Sequence, residues 1–175
     1  MNRRHFTHWL VGVSLLRGNL AFASIPSAYQ IVGRDRQVPA DILYAVALTE
    51  SGSPYQHIQK PWPWALNISG EGVYCASQRE AQQKILIAIN NKQSLDIGLM
   101  QISWRWHQQR FTHPHEALSP LKNLNVGATI LLEQYELAGD WWQAVGAYHD
   151  PGKDPQSLQQ AENYRQKVKQ HWESL

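Results

Sequence analysis

Glu50 is the residue whose type and position point most directly to chemistry. At about 100° per residue on a helix, it shares a face with Leu43, Val46 and Ala47. Burial on such a face disfavours a charged carboxylate, and so does the negative end of the helix dipole, so both effects raise the pKa of Glu50. A carboxyl group that stays protonated near neutral pH can serve as a general acid. The alternative is a side chain that turns outward at a frayed helix end and is solvated.

The element that must position Glu50 is a helix predicted from Ala40 to Ser51. Pro39 suits the first turn, Asp41 favours the positive N-terminal end, and Gly52 marks the end. Nearly every side chain between is apolar. The sequence therefore predicts a central, buried helix that carries a single carboxylate in its last turn.

A second informative stretch runs from Asp96 to Trp104, where the apolar residues fit neither a helix nor a strand pattern. Gly98 permits close backbone approach, Met100 offers a deformable contact surface, and Gln101 is a polar group in apolar surroundings. From the pattern alone this stretch is a core strand or turn, or a set of ligand contacts.

Length and composition limit the possible functions. A chain of 175 residues is long enough for one domain with a real core. The net charge of +2, with no basic run after the N-terminus, does not indicate a nucleic-acid partner. The lone cysteine, Cys75, excludes an internal disulfide, and the eight histidines lack a metal-binding spacing. We therefore expect no metal and no cofactor.

Tryptophan is unusually frequent, with eight in the chain. Six of them come in pairs, namely Trp62 and Trp64, Trp104 and Trp106, and Trp141 and Trp142. Such pairs suit either an aromatic core or a groove on which sugar rings stack.

The N-terminus predicts an export signal over residues 1–23. Arg3 and Arg4 form a basic start, an apolar run covers Trp9 to Leu16, and Ala21 to Ala23 is a small-x-small cleavage site. A loose twin-arginine pattern is present. An amphipathic anchor is the alternative. No other segment has the roughly 20 apolar residues of a membrane span, so we expect an exported, periplasmic domain of residues 24–175.

The remaining elements predict a mainly α domain with at most a short β-hairpin. The hairpin is expected to run through Leu66 to Tyr74. Apolar periodicity, a capping box at Ser77 and turn residues predict four further helices. They are Ser77 to about Asn90, Pro120 to Gly139, Trp141 to about Tyr148 with Asp140 as its cap, and a C-terminal helix. The apolar stripe of this last helix is expected to belong to the core and consists of Leu158, Ala161, Tyr164, Val168 and Trp172.

Four ordered motifs together resemble the family 1 lytic transglycosylases, whose fold is similar to goose-type lysozyme. They are Ala47-Leu48-Thr49-Glu50-Ser51, Gly98-Leu99-Met100-Gln101-Ile102, Asn123-Leu124-x-x-Gly127 and Ala147-Tyr148. The resemblance covers about Val38 to His149 and extends toward Val168. The Trp62-Pro63-Trp64 loop, Asp96 and the Tyr148-His149 pair are similar to a subgroup that accompanies conjugation and type III or IV secretion machines.

The resemblance implies roles for individual residues. Glu50 matches the catalytic acid, and Tyr148 matches a tyrosine whose hydroxyl faces the catalytic centre. The matched motifs imply further contacts with the sugars from Ser51, Gly98, Leu99, Met100, Gln101, His149, Trp62 and Trp64. Asparagine usually follows the tyrosine; in the secretion-associated subgroup it is histidine followed by serine, whereas here Asp150 follows His149.

The resemblance also implies an activity: non-hydrolytic cleavage of peptidoglycan between N-acetylmuramic acid and N-acetylglucosamine, giving a 1,6-anhydro product. Most glycosidases use two carboxylates, and no motif surrounds a second one here, with Asp41 and Glu71 as unsupported candidates. Assistance by the substrate's own N-acetyl group removes that need. The alternatives are a true lysozyme and a non-catalytic peptidoglycan-docking component. Glycan strands, and components of a secretion or conjugation machine, are the expected partners.

Overall fold

The computed structural model describes residues 25–53 and 60–175, so the predicted export signal lies outside the described residues. Seven α-helices and four short strands occur in this part of the chain. The helices are α1 (Ser27–Arg36), α2 (Ala40–Ser51), α3 (Gln78–Asn90), α4 (Trp104–His107), α5 (Pro120–Ala138), α6 (Trp141–His149) and α7 (Pro155–Glu173). The strands are β1 (Ala65–Ile68), β2 (Glu71–Tyr74), β3 (Leu95–Ile97) and β4 (Ile102–Ser103), and two 3-10 segments cover Gln108–Arg110 and Pro114–Leu118. The mainly α class predicted from the sequence is confirmed.

Helix α2 lies in the centre of the molecule, as its apolar sequence predicts. Leu43, Ala45, Val46 and Ala47 are each 0% exposed. The helix packs between α1 and α7, while α5 contacts both α1 and α6. Burial on nearly all sides explains why so little polar sequence occurs in α2.

Local signals set the ends of the other helices. The Ser77 hydroxyl accepts a hydrogen bond from the Glu80 amide at 3.2 Å, and Asp140 accepts one from the Gln143 amide at 2.9 Å. Gly139 ends α5 in the left-handed conformation, with φ of 70°. These caps explain why the helix boundaries could be predicted closely.

The apolar stripe predicted for α7 is only partly buried. Ala161, Tyr164 and Val168 belong to the buried core, whereas Leu158 is 56% and Trp172 38% exposed. The prediction was wrong for these two residues because they lie in the first and last turns of the helix, where fewer neighbours surround the chain.

The sheet is larger than the hairpin that the sequence predicted. The hairpin of β1 and β2 is present, but β3 pairs with β1 and β4 pairs with β3, all antiparallel, in the order β2-β1-β3-β4. The limit of one short hairpin was therefore wrong. Strands of two and three residues are too short to show a period-2 pattern, so their pairing is set by tertiary contacts.

Two rows of residues cross the sheet. Leu66, Ile97 and Ile102 are register partners and are buried. The neighbouring row consists of Asn67, Asp96 and Ser103, which are only partly buried. Because cross-strand partners point to the same face, one face of the sheet adds to the core and the other presents a polar row.

Candidate active site

A cleft of about 660 Å³ lies between the C-terminal end of α2, the sheet, and helices α4, α5 and α6. The polar row of the sheet forms part of its wall. Its lining residues are Glu50, Asn67, Asp96, Gln101, Ile102, Ser103, Trp106, His107, Ile130, Glu133, Gln134, Ala147, Tyr148, His149 and Pro151. The cleft therefore combines the carboxylate of Glu50, at the end of α2, with polar and aromatic groups from three strands and from helices α4, α5 and α6.

Glu50 reaches the cleft from the last turn of α2. Its Oε1 accepts a hydrogen bond of 2.6 Å from the hydroxyl of Tyr164, on α7. Burial raises the pKa of Glu50 from 4.5 to about 7; the charge of Asp96 also raises this pKa, and the hydrogen bond from Tyr164 lowers it. The outward, solvated position considered from the sequence is not what the structure shows. The raised pKa agrees with the expectation from the apolar helix.

Asp96 is a second carboxylate in the same cleft. It lies on β3 between Leu95 and Ile97, and its Cα partners across the sheet are Asn67 and Ser103. Burial raises the pKa of Asp96, and a hydrogen bond from Ser103 lowers it. Sequence reasoning did not propose Asp96 for chemistry and named Asp41 and Glu71 instead. The apolar-polar-apolar order of Leu95, Asp96 and Ile97 is compatible with an open face for Asp96, but three residues are too few to predict a strand.

Tyr148 lines the cleft, and its hydroxyl does not bond Glu50. It donates a hydrogen bond of 2.7 Å to the carbonyl oxygen of Met100. Burial raises the pKa of Tyr148, and the charges of Glu50 and Asp96 raise it further. Tyr148 therefore stays protonated and ties α6 to the turn that contains Met100.

Tyr164 is the tyrosine that contacts Glu50, and sequence reasoning assigned it only to the core. Its ring stacks on the imidazole of His149, with centroids 4.5 Å apart and planes 2° from parallel. A signal was available, because a buried tyrosine needs a partner for its hydroxyl, whereas Ala161 and Val168 in the same stripe do not.

The turn between β3 and β4 is held in place by hydrogen bonds to its backbone. The buried Ser51 hydroxyl donates to the Leu99 carbonyl at 2.8 Å. The Gln101 amide nitrogen donates to the carbonyls of Ala65, at 3.1 Å, and of Gly98, at 2.9 Å. Because both N–H groups of the Gln101 amide are used, its Oε1 is the atom left for a ligand.

Asn123 and Gly127 explain the third sequence motif. The Asn123 side chain, 1% exposed, accepts from the Met100 amide at 2.8 Å and donates to the carbonyls of Ile97, at 2.7 Å, and Ala117, at 2.9 Å. A Cβ at Gly127 would approach the Met100 side chain to 2.5 Å, and one at Gly98 would approach Asn123 Nδ2 to 2.5 Å. Gly98 also has φ of 81°, which favours glycine. This motif builds the turn.

The predicted ligand contacts separate into two groups. Glu50, Gln101, Tyr148 and His149 line the cleft. Ser51, Gly98, Leu99 and Met100 are not in its lining, and Met100 is 0% exposed. Their side chains and backbone shape the turn, and the sugar contacts predicted for these four residues stay a prediction.

Trp62 and Trp64 pack beside the hairpin. Their rings meet edge to face at 5.7 Å, and the indole N–H of Trp62 donates to the Cys75 carbonyl at 2.8 Å. Within the described residues neither ring lines the cleft. Both tryptophans are partly buried, and Trp64 packs against the core. Sugar contacts from these two residues stay a prediction.

The described residues contain neither a metal-binding cluster nor a helix that could span a membrane. Residues 25–53 and 60–175 contain no group of three or more His, Cys, Asp and Glu side chains placed to hold a metal ion. No helix in the same part of the chain has the length and apolar character needed to cross a membrane.

Comparison with known families assigns the class. The family model described as Transglycosylase SLT domain matches residues 28–171. Since this match covers most of the 175 residues, the chain belongs to the transglycosylase SLT domain family. The family indicated by the four sequence motifs is thereby confirmed.

Individual relatives are moderately similar. The invasion protein IagB of Salmonella typhimurium is 31% identical over 115 residues, which are 62% of this chain and 71% of IagB. IagB of Salmonella typhi gives the same values. Protein virB1 of Agrobacterium fabrum is 35% identical over 69 residues, which are 39% of this chain and 28% of virB1. No solved structure matches the chain.

Proposed function

We propose that this protein is a lytic transglycosylase that cleaves the β-1,4 bond between N-acetylmuramic acid and N-acetylglucosamine in peptidoglycan and releases a 1,6-anhydro product. The observation that carries the proposal is Glu50, whose pKa of about 7 suits a group that must first give a proton and then take one. Membership of the transglycosylase SLT domain family supports the reaction class.

In the first step Glu50 donates its proton to the glycosidic oxygen, and the bond from that oxygen to C1 of N-acetylmuramic acid breaks. The carbonyl oxygen of the substrate's own 2-acetamido group bonds to C1 as the leaving sugar departs. The protein thus needs only one acid at this stage.

In the second step the Glu50 carboxylate takes the proton of the C6 hydroxyl on the same N-acetylmuramic acid. The C6 oxygen then bonds to C1, the bond from C1 to the acetamido oxygen breaks, and the 1,6-anhydro ring closes. No water is consumed, and Glu50 regains the proton that it gave.

Other cleft residues would orient the reacting groups. The Tyr164 hydroxyl fixes Oε1 of Glu50, which leaves Oε2 for the glycosidic oxygen. Gln101 offers Oε1 to a sugar hydroxyl or amide, and Tyr148 holds the Met100 carbonyl beside the cleft. Each role is a positioning role that follows from the contacts of the side chain.

A hydrolytic reaction, as in a true lysozyme, is the second candidate. Asp96 favours it, because most glycosidases that use water have two carboxylates flanking the bond. In that reaction water attacks C1, and the product carries a reducing end with one more water than the anhydro product.

Mass spectrometry of the fragments released from purified peptidoglycan separates the candidates. We expect 1,6-anhydro ends with residues 24–175 and with a Glu136→Gln control, which changes an exposed glutamate on α5. The Glu50→Gln variant should release none. Reducing ends would establish the lysozyme reaction, and binding of glycan without cleavage by the unaltered protein would indicate a docking component.

The resemblance of the sequence to the secretion-associated subgroup supports a setting for this reaction. It supports a role in opening the wall locally for a secretion or conjugation machine, and a relative named as an invasion protein agrees with that role. The predicted export signal agrees with a periplasmic location. Deleting the gene should reduce transfer by that machine in a strain with no substituting transglycosylase; unchanged transfer would end this part of the proposal.

A further inference from the structure

Trp106 is an exposed tryptophan on the wall of the cleft. Its side chain is 65% exposed. Trp172, at 38%, is the next most exposed tryptophan of the described residues. The indole N–H of Trp172 donates to Asp41, so that residue has a structural contact. Leaving most of an indole in water forgoes a large gain from burial, and the position of Trp106 is not explained by packing.

The two tryptophans of helix α4 differ in what they contact. Trp104 packs against the core and lies 6.0 Å from the ring of Phe111. The guanidinium carbon of Arg105 lies 4.8 Å from the centroid of Trp106 and covers one face of that ring. Since Trp106 also lines the cleft, its open face is available to a flat ligand there.

His107, the next residue, presents a defined hydrogen-bond donor. Its Nδ1 accepts a hydrogen bond of 3.3 Å from Nε of Arg110. Arg110 is fixed in turn by two hydrogen bonds to the carboxylate of Glu133, at 2.7 and 3.0 Å. Because Nδ1 is an acceptor, the proton of the neutral ring is on Nε2.

The charge state of His107 agrees with this arrangement. Burial lowers the pKa of His107, the positive charge of Arg110 lowers it further, and Glu133 acts in the opposite direction. The ring is therefore neutral at pH 7 and offers a single N–H at the edge that is not held by Arg110.

We infer that Trp106 and His107 form a sugar-binding subsite on the α4 side of the cleft, where one N-acetylated pyranose of the glycan strand stacks on the indole and accepts a hydrogen bond from Nε2 of His107. This subsite rests on the proposed function, since the same strand must pass Glu50. An apolar ring face beside a fixed polar donor matches the apolar face and the polar edge of a pyranose.

The subsite acts by holding the glycan at a fixed position along the cleft, so it contributes to substrate binding. Trp106 and Glu50 line one cleft but lie on different elements, α4 and α2. A contact made equally in the bound substrate and in the transition state lowers KM and leaves kcat nearly unchanged. Loss of Trp106 should therefore raise KM on soluble glycan fragments with little change in kcat.

Calorimetric titration with the six-sugar oligomer of N-acetylglucosamine tests the subsite. The Glu50→Gln background is chosen because this variant is expected to leave the probe uncleaved. We expect Trp106→Ala to weaken binding about tenfold, which is typical of losing one well-placed aromatic contact. Trp106→Phe should lose less, and His107→Phe about threefold, the loss of one hydrogen bond.

Two further measurements separate the subsite from general effects of mutation. Leu86→Ala removes an apolar side chain on α3 that is about as exposed as Trp106, at 58%, and lies outside the cleft. This variant should bind the oligomer as tightly as the Glu50→Gln protein does. In spectra with ¹⁵N-labelled tryptophan, the indole signal that is absent from Trp106→Ala should shift on titration of the parent protein.

The outcomes separate failure of the subsite from failure of the proposed function. Binding by Trp106→Ala within twofold of its parent would overturn the subsite, even if the wild-type protein releases 1,6-anhydro fragments. Absence of saturable binding to the parent protein would overturn the subsite as well. Absence of fragments together with intact, Trp106-dependent binding would retain the subsite and remove the transglycosylase reaction.

Discussion

At the scale of single residues, the hydrogen bond from Tyr164 to Glu50 balances the burial of a carboxyl group. Burial favours the neutral acid, whereas a donated hydrogen bond favours the carboxylate. Glu50 therefore depends on a residue from the far end of the chain for its protonation state.

Replacing Tyr164 with phenylalanine should move the pH dependence of the reaction. Removing the donor raises the pKa of Glu50, so the alkaline limb of kcat/KM should shift upward by about one pH unit. The measurement is a pH profile of fragment release. Tyr148→Phe is the matched control, because the Tyr148 hydroxyl bonds the Met100 carbonyl and not Glu50. The alkaline limb of kcat/KM should stay in place in this variant, although its rate falls. An unshifted limb in Tyr164→Phe would contradict this account of Glu50.

The same pKa makes a prediction about stability. The pKa of Glu50 rises from 4.5 in the unfolded chain to about 7 in the folded protein, so its favourable contribution is complete below pH 4.5 and is lost as the pH rises through 7. Glu50→Gln cannot ionise. Between pH 4 and pH 8, the free energy of unfolding of Glu50→Gln should therefore rise relative to that of the wild type by about 2–3 kcal/mol.

Urea denaturation of both proteins at pH 4 and pH 8 measures this difference. Glu136→Gln serves as the control, since that glutamate is exposed. A difference between wild type and Glu50→Gln that does not change with pH would mean that Glu50 titrates in the folded protein as it does in the unfolded chain.

At the scale of elements, the turn between β3 and β4 depends on one side chain from α5. Asn123 satisfies three backbone groups, belonging to Ile97, Met100 and Ala117. The turn carries Gln101 into the cleft and supplies the carbonyl that Tyr148 bonds. The geometry of the site is therefore coupled to a helix whose Asn123 does not itself line the cleft.

Asn123→Ala should destabilise the protein by about 3 kcal/mol or more, because it leaves three buried polar groups without partners. Asn125→Ala, two residues away on the same helix and less buried, should stay within about 0.5 kcal/mol of the wild type. Urea midpoints give both values. Equal effects of the two substitutions would show that the Asn123 hydrogen bonds are not what holds the turn.

At the scale of the whole molecule, the cleft exists because the helical part and the sheet meet across it. Glu50 comes from a helix and Asp96 from a strand, and the chain between them includes the hairpin and α3. Their carboxylates interact, and the charge of Asp96 raises the pKa of Glu50. The protonation of Glu50 is thus a property of the assembled fold.

Asp96→Asn should shift the alkaline limb of kcat/KM to lower pH, because the substitution removes a negative charge that raises the pKa of Glu50. This shift is opposite to the one expected for Tyr164→Phe. The same pH profile of fragment release measures it. Asp41→Asn is the control, since that carboxylate bonds Trp172 and does not line the cleft. Loss of all activity at every pH would instead assign Asp96 a direct part in the reaction, as the hydrolytic candidate requires.

Much of the helical architecture was determined by the sequence alone. Helix α2 was predicted with the observed bounds, and capping residues such as Ser77 and Asp140 marked the starts of α3 and α6. The apolar surroundings of Glu50 were also predictable, since the period of a helix places Glu50 on the face of Leu43 and Val46 without reference to the rest of the chain. These are local properties, set by hydrogen bonds and side chains a few residues apart.

The tertiary structure alone decided which side chains meet Glu50. Tyr164 is 114 residues away in the chain, and although its buried hydroxyl needs a partner, no local pattern says which residue that partner is. Asp96 faces the cleft through the pairing of strands two to four residues long. Trp106 and Trp104 occur in one short helix, yet only packing buries one ring and exposes the other. Contacts between distant segments carry no period in the sequence, so they emerge only when the chain is folded.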